Sequence, residues 1–130
     1  MDAKAYYTQE NHGTYQHYNM GDYVLDDGGT INNCQLAYTT FGELNAAKDN
    51  VILVPTWFSG SHQIIAQVDV GKGRALDPEK YFIVIINQLG NGLSSSPHTQ
   101  NANNFPNVQI SDDVRAQRRG ESPAAPQETL

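Results

Sequence analysis

The chain has 130 residues, a formal net charge of −6 and an isoelectric point near 4.9, which suits one modest globular domain with its own core. The acidic balance argues against a nucleic-acid partner, and no stretch approaches the roughly 18 apolar residues that a membrane span needs. The single cysteine, Cys34, excludes an internal disulfide framework and is compatible with a reducing cytoplasm, where we expect the protein to reside.

Composition divides the chain into three parts. Residues 1–19 are polar with scattered tyrosines, which predicts a tail or a strap over the domain. Residues 20–117 have the hydrophobic patterning of a globular fold. Residues 118–130 are small, polar and proline-bearing, which predicts a disordered end.

The predicted elements begin with an antiparallel hairpin. Tyr23 and Leu25 alternate with polar neighbours before a turn at Asp27-Gly28-Gly29. The next strand also alternates, with one face made of Cys34, Leu36, Tyr38 and Thr40 and the other of Ala37, Thr39 and Phe41.

Two continuous apolar runs follow, at Val51–Val54 and Tyr81–Asn87. Such runs are typical of parallel strands that are buried on both faces. A helix is then predicted to open at Ser111 or Asp112. The expected fold class is α/β, with a mixed sheet, an N-terminal antiparallel hairpin and two buried parallel strands joined by loops.

A glycine-rich polar turn follows each buried strand, "PTWFSGSH" after the first and "NQLGNGLSSSPHT" after the second. Together with "GDYVLDDGGTI", "GKGRALDPEKYFIVIIN" and "FPNVQISDDVRAQ", these turns resemble the N-terminal half of the homoserine O-acetyltransferase family. The resemblance covers roughly Asn19 to Gln117 and implies an incomplete α/β-hydrolase fold of an acyltransferase or ester hydrolase.

The resemblance also implies a site. Acyl transfer on this fold uses a serine, a histidine and an acid, with two N–H donors aimed at the oxyanion. By resemblance, Phe58 supplies one backbone donor and Trp57 lines the acyl pocket. No metal or bound cofactor is expected, although acetyl-CoA is the candidate acyl donor of the full-length family. The family more usually has His-Ala-Leu-Thr-Gly where this chain has Thr-Trp-Phe-Ser-Gly at 56–60, which argues against homoserine as substrate.

No Gly-x-Ser-x-Gly elbow occurs in the 130 residues, so we assign no catalytic residue. Ser94 has Gly92 before it but Ser96 after it, and no strand leads into it. The similar "GESPA" at 120–124 places Pro123 where an oxyanion N–H is needed, and proline has none.

Other candidates favour structural interpretations. Cys34 is predicted to be a small buried apolar residue, and His62 to be structural. The "LGNGLSSSP" segment lacks the third glycine of a dinucleotide loop and is interpreted as a structural turn. Asp112 and Asp113 are interpreted as the first turn of a helix rather than a catalytic pair.

Two hypotheses of function remain. One is an N-terminal fragment of a homoserine O-acetyltransferase-like acyltransferase or hydrolase, inactive alone. The other is a non-catalytic module, or half of a split α/β hydrolase that takes a small-molecule substrate only when a second chain completes it. The tail at 118–130 is interpreted either as a frameshifted end or as that of a genuine short protein. The strand Val51–Val54 is expected to lack one neighbour, which would favour self-association.

Overall fold

The computed structural model describes residues 3–57, 59–100 and 103–120. Its strands form one sheet in the order β1-β2-β4-β3, and they are β1 (Gln16–Val24), β2 (Thr30–Phe41), β3 (Val51–Pro55) and β4 (Phe82–Ile86). The helices are α1 (Ala3–Tyr6), α2 (Gln9–His12), α3 (His62–Asp69) and α4 (Ile110–Gly120). In the part of the chain that is described, no helix is long and apolar enough to cross a membrane.

The N-terminal hairpin is confirmed. β1 pairs antiparallel with β2, and Tyr23 lies opposite Ile31 in the register. Tyr23 and Leu25 are buried while Val24 is 61% exposed, as the alternation predicts. The strand begins earlier than expected, at Gln16, because the alternation continues upstream through the buried Tyr18.

The sheet is mixed, as predicted. β4 pairs antiparallel with β2 on one side and parallel with β3 on the other. Ile83 to Ile86 are at most 1% exposed, so β4 is buried on both faces. The same prediction was wrong for β3, which is half-buried because, among the described residues, it pairs only with β4.

The connection between β3 and β4 contains a helix, α3, where the sequence pattern predicted only a loop. A crossover between parallel strands needs a dozen or more residues and is usually helical. Ile65 of α3 packs on Ile83 and Ile85, covering one face of β4. Ala116 of α4 joins the core on the opposite face.

Helix α4 begins at Ile110, one residue before the earliest predicted start. Asp112 lies in its first turn, and its Oδ2 accepts the backbone N–H of Gln109 at 2.9 Å. This backward bond is one half of a capping box. The helix continues to Gly120, so residues 118–120 are helical rather than part of the tail; the basic Arg118 and Arg119 suit the last turn of a helix. The remaining tail residues, 121–130, lie outside the described residues.

Candidate functional site

The carboxyl ends of β3 and β4 open into a cavity of about 480 Å³. Ligands of open α/β sheets bind at this edge. Three segments line the cavity: residues 3–15, which we name the N-terminal strap; the turn after β3 with the start of α3; and the turn after β4. The described lining residues are Tyr6, Tyr7, Asn11, His12, Ser59, Gly60, Ser61, Gln63, Ile64, Gly90, Asn91, Leu93 and His98.

Hydrogen bonds link the two turns at the base of this cavity. The backbone N–H of Thr56 donates to the carbonyl of Ile86 at 3.0 Å. The Thr56 hydroxyl accepts the backbone N–H of Gln88 at 3.1 Å, and the Gln88 side-chain amide donates to the Thr56 carbonyl. Thr56 is 1% exposed, so these bonds are shielded from water and hold the turns in a fixed relation.

Asn87, at the end of β4, is a fully buried hydrogen-bonding centre. Its Nδ2 donates to the carbonyl of Ala37 at 3.0 Å and to Nδ1 of His62 at 3.1 Å. Its Oδ1 accepts the backbone N–H of His62 at 3.1 Å and the side-chain amide of Asn91 at 3.0 Å. One side chain therefore joins β2, the start of α3 and the turn after β4.

His62 is only 2% exposed, as a structural histidine would be. Because its Nδ1 accepts a bond from Asn87, the ring proton lies on Nε2. Burial lowers the pKa of His62 below its ordinary 6.5. A neutral ring with its acceptor nitrogen already occupied is poorly suited to act as a general base.

Two imidazole nitrogens, Nε2 of His12 and Nε2 of His62, are buried without a hydrogen-bond partner among the described residues. Both rings line a second cavity of about 260 Å³ under the strap. Within the described ranges no group of three or more His, Cys, Asp or Glu side chains is placed to hold a metal ion.

The serines near the cavity are not activated as nucleophiles. Ser94 is fully buried; its hydroxyl donates to the carbonyl of Asn87 at 2.7 Å and accepts the backbone N–H of Ala37 at 2.9 Å. Ser59 and Ser61 line the cavity, but no hydrogen bond joins either hydroxyl to a histidine ring in the described part of the chain. An activated serine needs such a base.

The turn after β4 is held by its own bonds. Oδ1 of Asn91 accepts the backbone N–H groups of Leu93 and Ser94 at 3.0 and 3.1 Å, and Gly90 N–H donates to the carbonyl of Ser95 at 2.8 Å. These donors are therefore engaged within the turn, which supports the interpretation of a structural rim rather than a phosphate loop.

Trp57 follows β3 and is 49% exposed. Its indole lies across Gly60, where an added Cβ would come within 2.3 Å of the ring, so a side chain there would displace the indole. Trp57 is not among the described residues that line the 480 Å³ cavity, and its role in the acyl pocket stays a prediction. Phe58, the predicted oxyanion donor, lies outside the described residues.

Cys34 and the acidic pair behave as structural residues. Cys34 is fully buried, and burial raises the pKa of its thiol to about 11, which keeps it protonated. The carboxylate of Asp112 is fully buried and accepts the backbone N–H of Asp26 at 2.8 Å. Asp113 accepts the backbone N–H of Leu89 at 3.0 Å, and burial raises its pKa. The pair ties α4 to the hairpin and to the turn after β4.

Sequence reasoning missed Asn87 and the tyrosines of the strap as parts of the site. A polar residue that ends an apolar run, as Asn87 ends "YFIVIIN", was the available signal. For Tyr6 and Tyr7 the sequence offered no such signal, because no periodic pattern in the strap shows what its tyrosines contact.

No protein-family model matches the sequence. An ethyl acetate hydrolase of Pseudomonas veronii is 49% identical over 117 residues, which cover 87% of this chain and 34% of that protein. The crystal structure of an acetylester hydrolase from Corynebacterium glutamicum superposes with a TM-score of 0.80 at 50% identity, covering 87% of this chain and 34% of that one. A homoserine O-acetyltransferase of Zymomonas mobilis is 35% identical over 118 residues, with 76% of this chain and 32% of that protein covered.

The chain thus spans about a third of the length of the relatives it matches. Its four-stranded mixed sheet corresponds to part of their fold, and the homology expected from the glycine-rich turns is confirmed. Over about a third of their length, the chain is therefore homologous to homoserine O-acetyltransferases and to esterases with the α/β-hydrolase fold.

Proposed function

We propose that this chain forms the N-terminal part of a cytoplasmic ester hydrolase that acts on small acetyl esters. The observation that carries the proposal is the cavity at the carboxyl ends of β3 and β4, in a chain that is 49% identical to an ethyl acetate hydrolase. The identity to a homoserine O-acetyltransferase is lower, at 35%, which favours hydrolysis over transfer from acetyl-CoA to homoserine.

In this proposal the chain supplies the wall of the pocket and one oxyanion donor. The bonds around Thr56 and Asn87 join the two turns at the base of the cavity. The resemblance to the family assigns the oxyanion donor to the backbone N–H of Phe58 and the contact with the acyl group to Trp57. The nucleophilic serine, the acid and the histidine are to be supplied by residues outside these 130, since the sequence contains no nucleophile elbow.

A chimera tests this proposal. The matched 117 residues replace their counterpart in the Pseudomonas veronii hydrolase, and the rate of ethyl acetate hydrolysis is measured. We expect hydrolysis to be retained, and we expect Trp57→Ala to lower kcat/KM by about tenfold. Tyr81→Ala, at an exposed aromatic that directly precedes β4, should leave kcat/KM unchanged. A folded chimera without ester hydrolysis would count against the proposal.

A second function is favoured by the edge position of β3. A half of a split α/β hydrolase would pair there with a strand of another chain and would take a small-molecule substrate only in that complex. Co-expression with a chain that carries the elbow, followed by co-purification and an ester assay, distinguishes this case from a single longer polypeptide.

A further inference from the structure

Tyr7 of the N-terminal strap stands between two cavities. It lines the 480 Å³ cavity at the ends of β3 and β4, and it also lines a smaller cavity of about 150 Å³ beside β2. Besides Tyr7, only Leu93 is shared by the two described linings. The phenol ring and the Leu93 side chain therefore form the partition between the two spaces.

The turn after β4 is shaped to receive this ring. An added Cβ at Gly92 would lie 2.3 Å from the nearest ring carbons of Tyr7, so only glycine leaves room for the ring. Gly92 also has φ of +101°, a conformation that glycine adopts without strain.

Neighbouring side chains hold the ring in place. Tyr7 packs against the buried cluster of Tyr15, Ala37 and Leu93. The His12 ring stacks on it with centroids 5.7 Å apart, and His98 lies 5.8 Å away on the cavity side. A ring held by packing and stacking is suited to act as a fixed wall.

We propose that Tyr7 is a specificity-determining residue that limits the length of the ester's carbon chain by closing the larger cavity off from the smaller one. The proposal rests on the proposed function, because it assumes that an ester occupies the larger cavity. Removing the ring would join the two spaces and give a longer acyl chain room for several more methylene groups.

The test measures binding of two esters to the 130-residue chain itself. Affinities for ethyl acetate and ethyl hexanoate are determined by ligand-observed NMR for the wild type and for Tyr7→Ala. We expect the affinity for ethyl hexanoate relative to ethyl acetate to rise about tenfold in Tyr7→Ala, which corresponds to burying about two more methylene groups.

Two variants serve as controls. Tyr7→Phe keeps the ring and should leave the ratio of affinities unchanged. Tyr81→Ala makes the same truncation at a tyrosine that is 37% exposed and lines neither of the two cavities, and it should also leave the ratio unchanged. If Tyr7→Ala fails to fold, Tyr7→Leu replaces it, with the same direction expected.

The outcomes separate the partition from the proposed function. Ester binding with the same ratio of affinities in the wild type and in Tyr7→Ala, or an equal rise of that ratio in Tyr81→Ala, would overturn the partition alone. Failure of both esters to bind the wild type and Tyr7→Ala would overturn the partition, whereas the proposed function is overturned only if the folded chimera also fails to hydrolyse ethyl acetate.

Discussion

At the scale of single residues, the buried polar groups beneath the cavity determine how its walls are held. Asn87 uses both of its side-chain polar atoms to join β2, His62 and the turn after β4. His62 in turn reaches the strap, since its ring packs edge-on against Tyr15 with centroids 5.4 Å apart. A change in the charge of His62 would therefore act on the strap as well as on the base of the cavity.

The lowered pKa of His62 predicts a specific dependence of stability on pH. The unfolded chain takes up a proton at His62 near its ordinary pKa of 6.5, whereas in the folded state burial shifts this protonation to a lower pH. The contribution of the neutral His62 to the free energy of unfolding should thus be complete above pH 6.5 and should decrease as the pH is lowered below that value.

Urea unfolding at about pH 8 and about pH 5 measures this dependence. In His62→Gln the loss of stability between the two conditions should be smaller than in the wild type. His17→Gln, which changes an exposed histidine, should retain the wild-type loss. If the wild type and His62→Gln lost the same amount of stability between the two pH values, His62 would not be the group that causes the pH dependence.

At the scale of elements, α4 is attached to the sheet mainly through its first turn. The buried carboxylate of Asp112 accepts N–H donors of Asp26, Gln109 and Arg115. Its backbone carbonyl also accepts the hydroxyl of Tyr23 at 2.8 Å. The exposed ion pair of Arg115 with Asp26 adds little by comparison, because water screens it.

Asp112→Ala should therefore lower the free energy of unfolding by about 2–4 kcal/mol, because it leaves buried N–H donors unpaired. Asp69→Ala removes an exposed carboxylate from α3 and should change it by no more than about 0.5 kcal/mol. Chemical denaturation of the two variants beside the wild type gives both values. If Asp112→Ala lowered the free energy of unfolding no more than Asp69→Ala does, the first turn would not be what anchors the helix.

The strands were predictable from the sequence and the contacts of the site were not. Alternation across Tyr23, Leu25 and Cys34 and the apolar run of β4 determine which faces are buried, so the hairpin and the parallel pair could be predicted from local patterns. Helix α3 was missed because its eight residues make only about two turns and its apolar residues do not share one face: Ile65 is buried, whereas Ile64 and Val68 are exposed. The bond from Asn87 to Ala37 joins residues 50 positions apart, and no local pattern encodes such a contact.

At the scale of the whole molecule, one edge of the sheet is apolar and uncharged. Within the described residues β3 pairs with β4 alone, and its sequence is Val-Ile-Leu-Val-Pro. An edge of this kind presents backbone groups that can pair with a second copy of the chain. We therefore expect the isolated chain to self-associate through β3.

Sedimentation velocity over a range of concentrations tests this expectation. Ile52→Lys should reduce association, because it places a charge on the half-buried edge strand. Val114→Lys introduces the same charge at an exposed valine of α4 and should leave association unchanged. A wild-type chain that stays monomeric at high concentration would refute the role assigned to this edge.

The central claim is that this chain contributes the pocket of an esterase site and not its nucleophile. The most direct measurement is the steady-state turnover of p-nitrophenyl acetate, and of acetyl-CoA with homoserine, by the purified 130-residue chain. We predict no turnover above buffer, because losing triad members costs orders of magnitude in rate. Sustained turnover that Ser59→Ala or Ser61→Ala abolishes would contradict the claim, since it would place a working nucleophile within the chain.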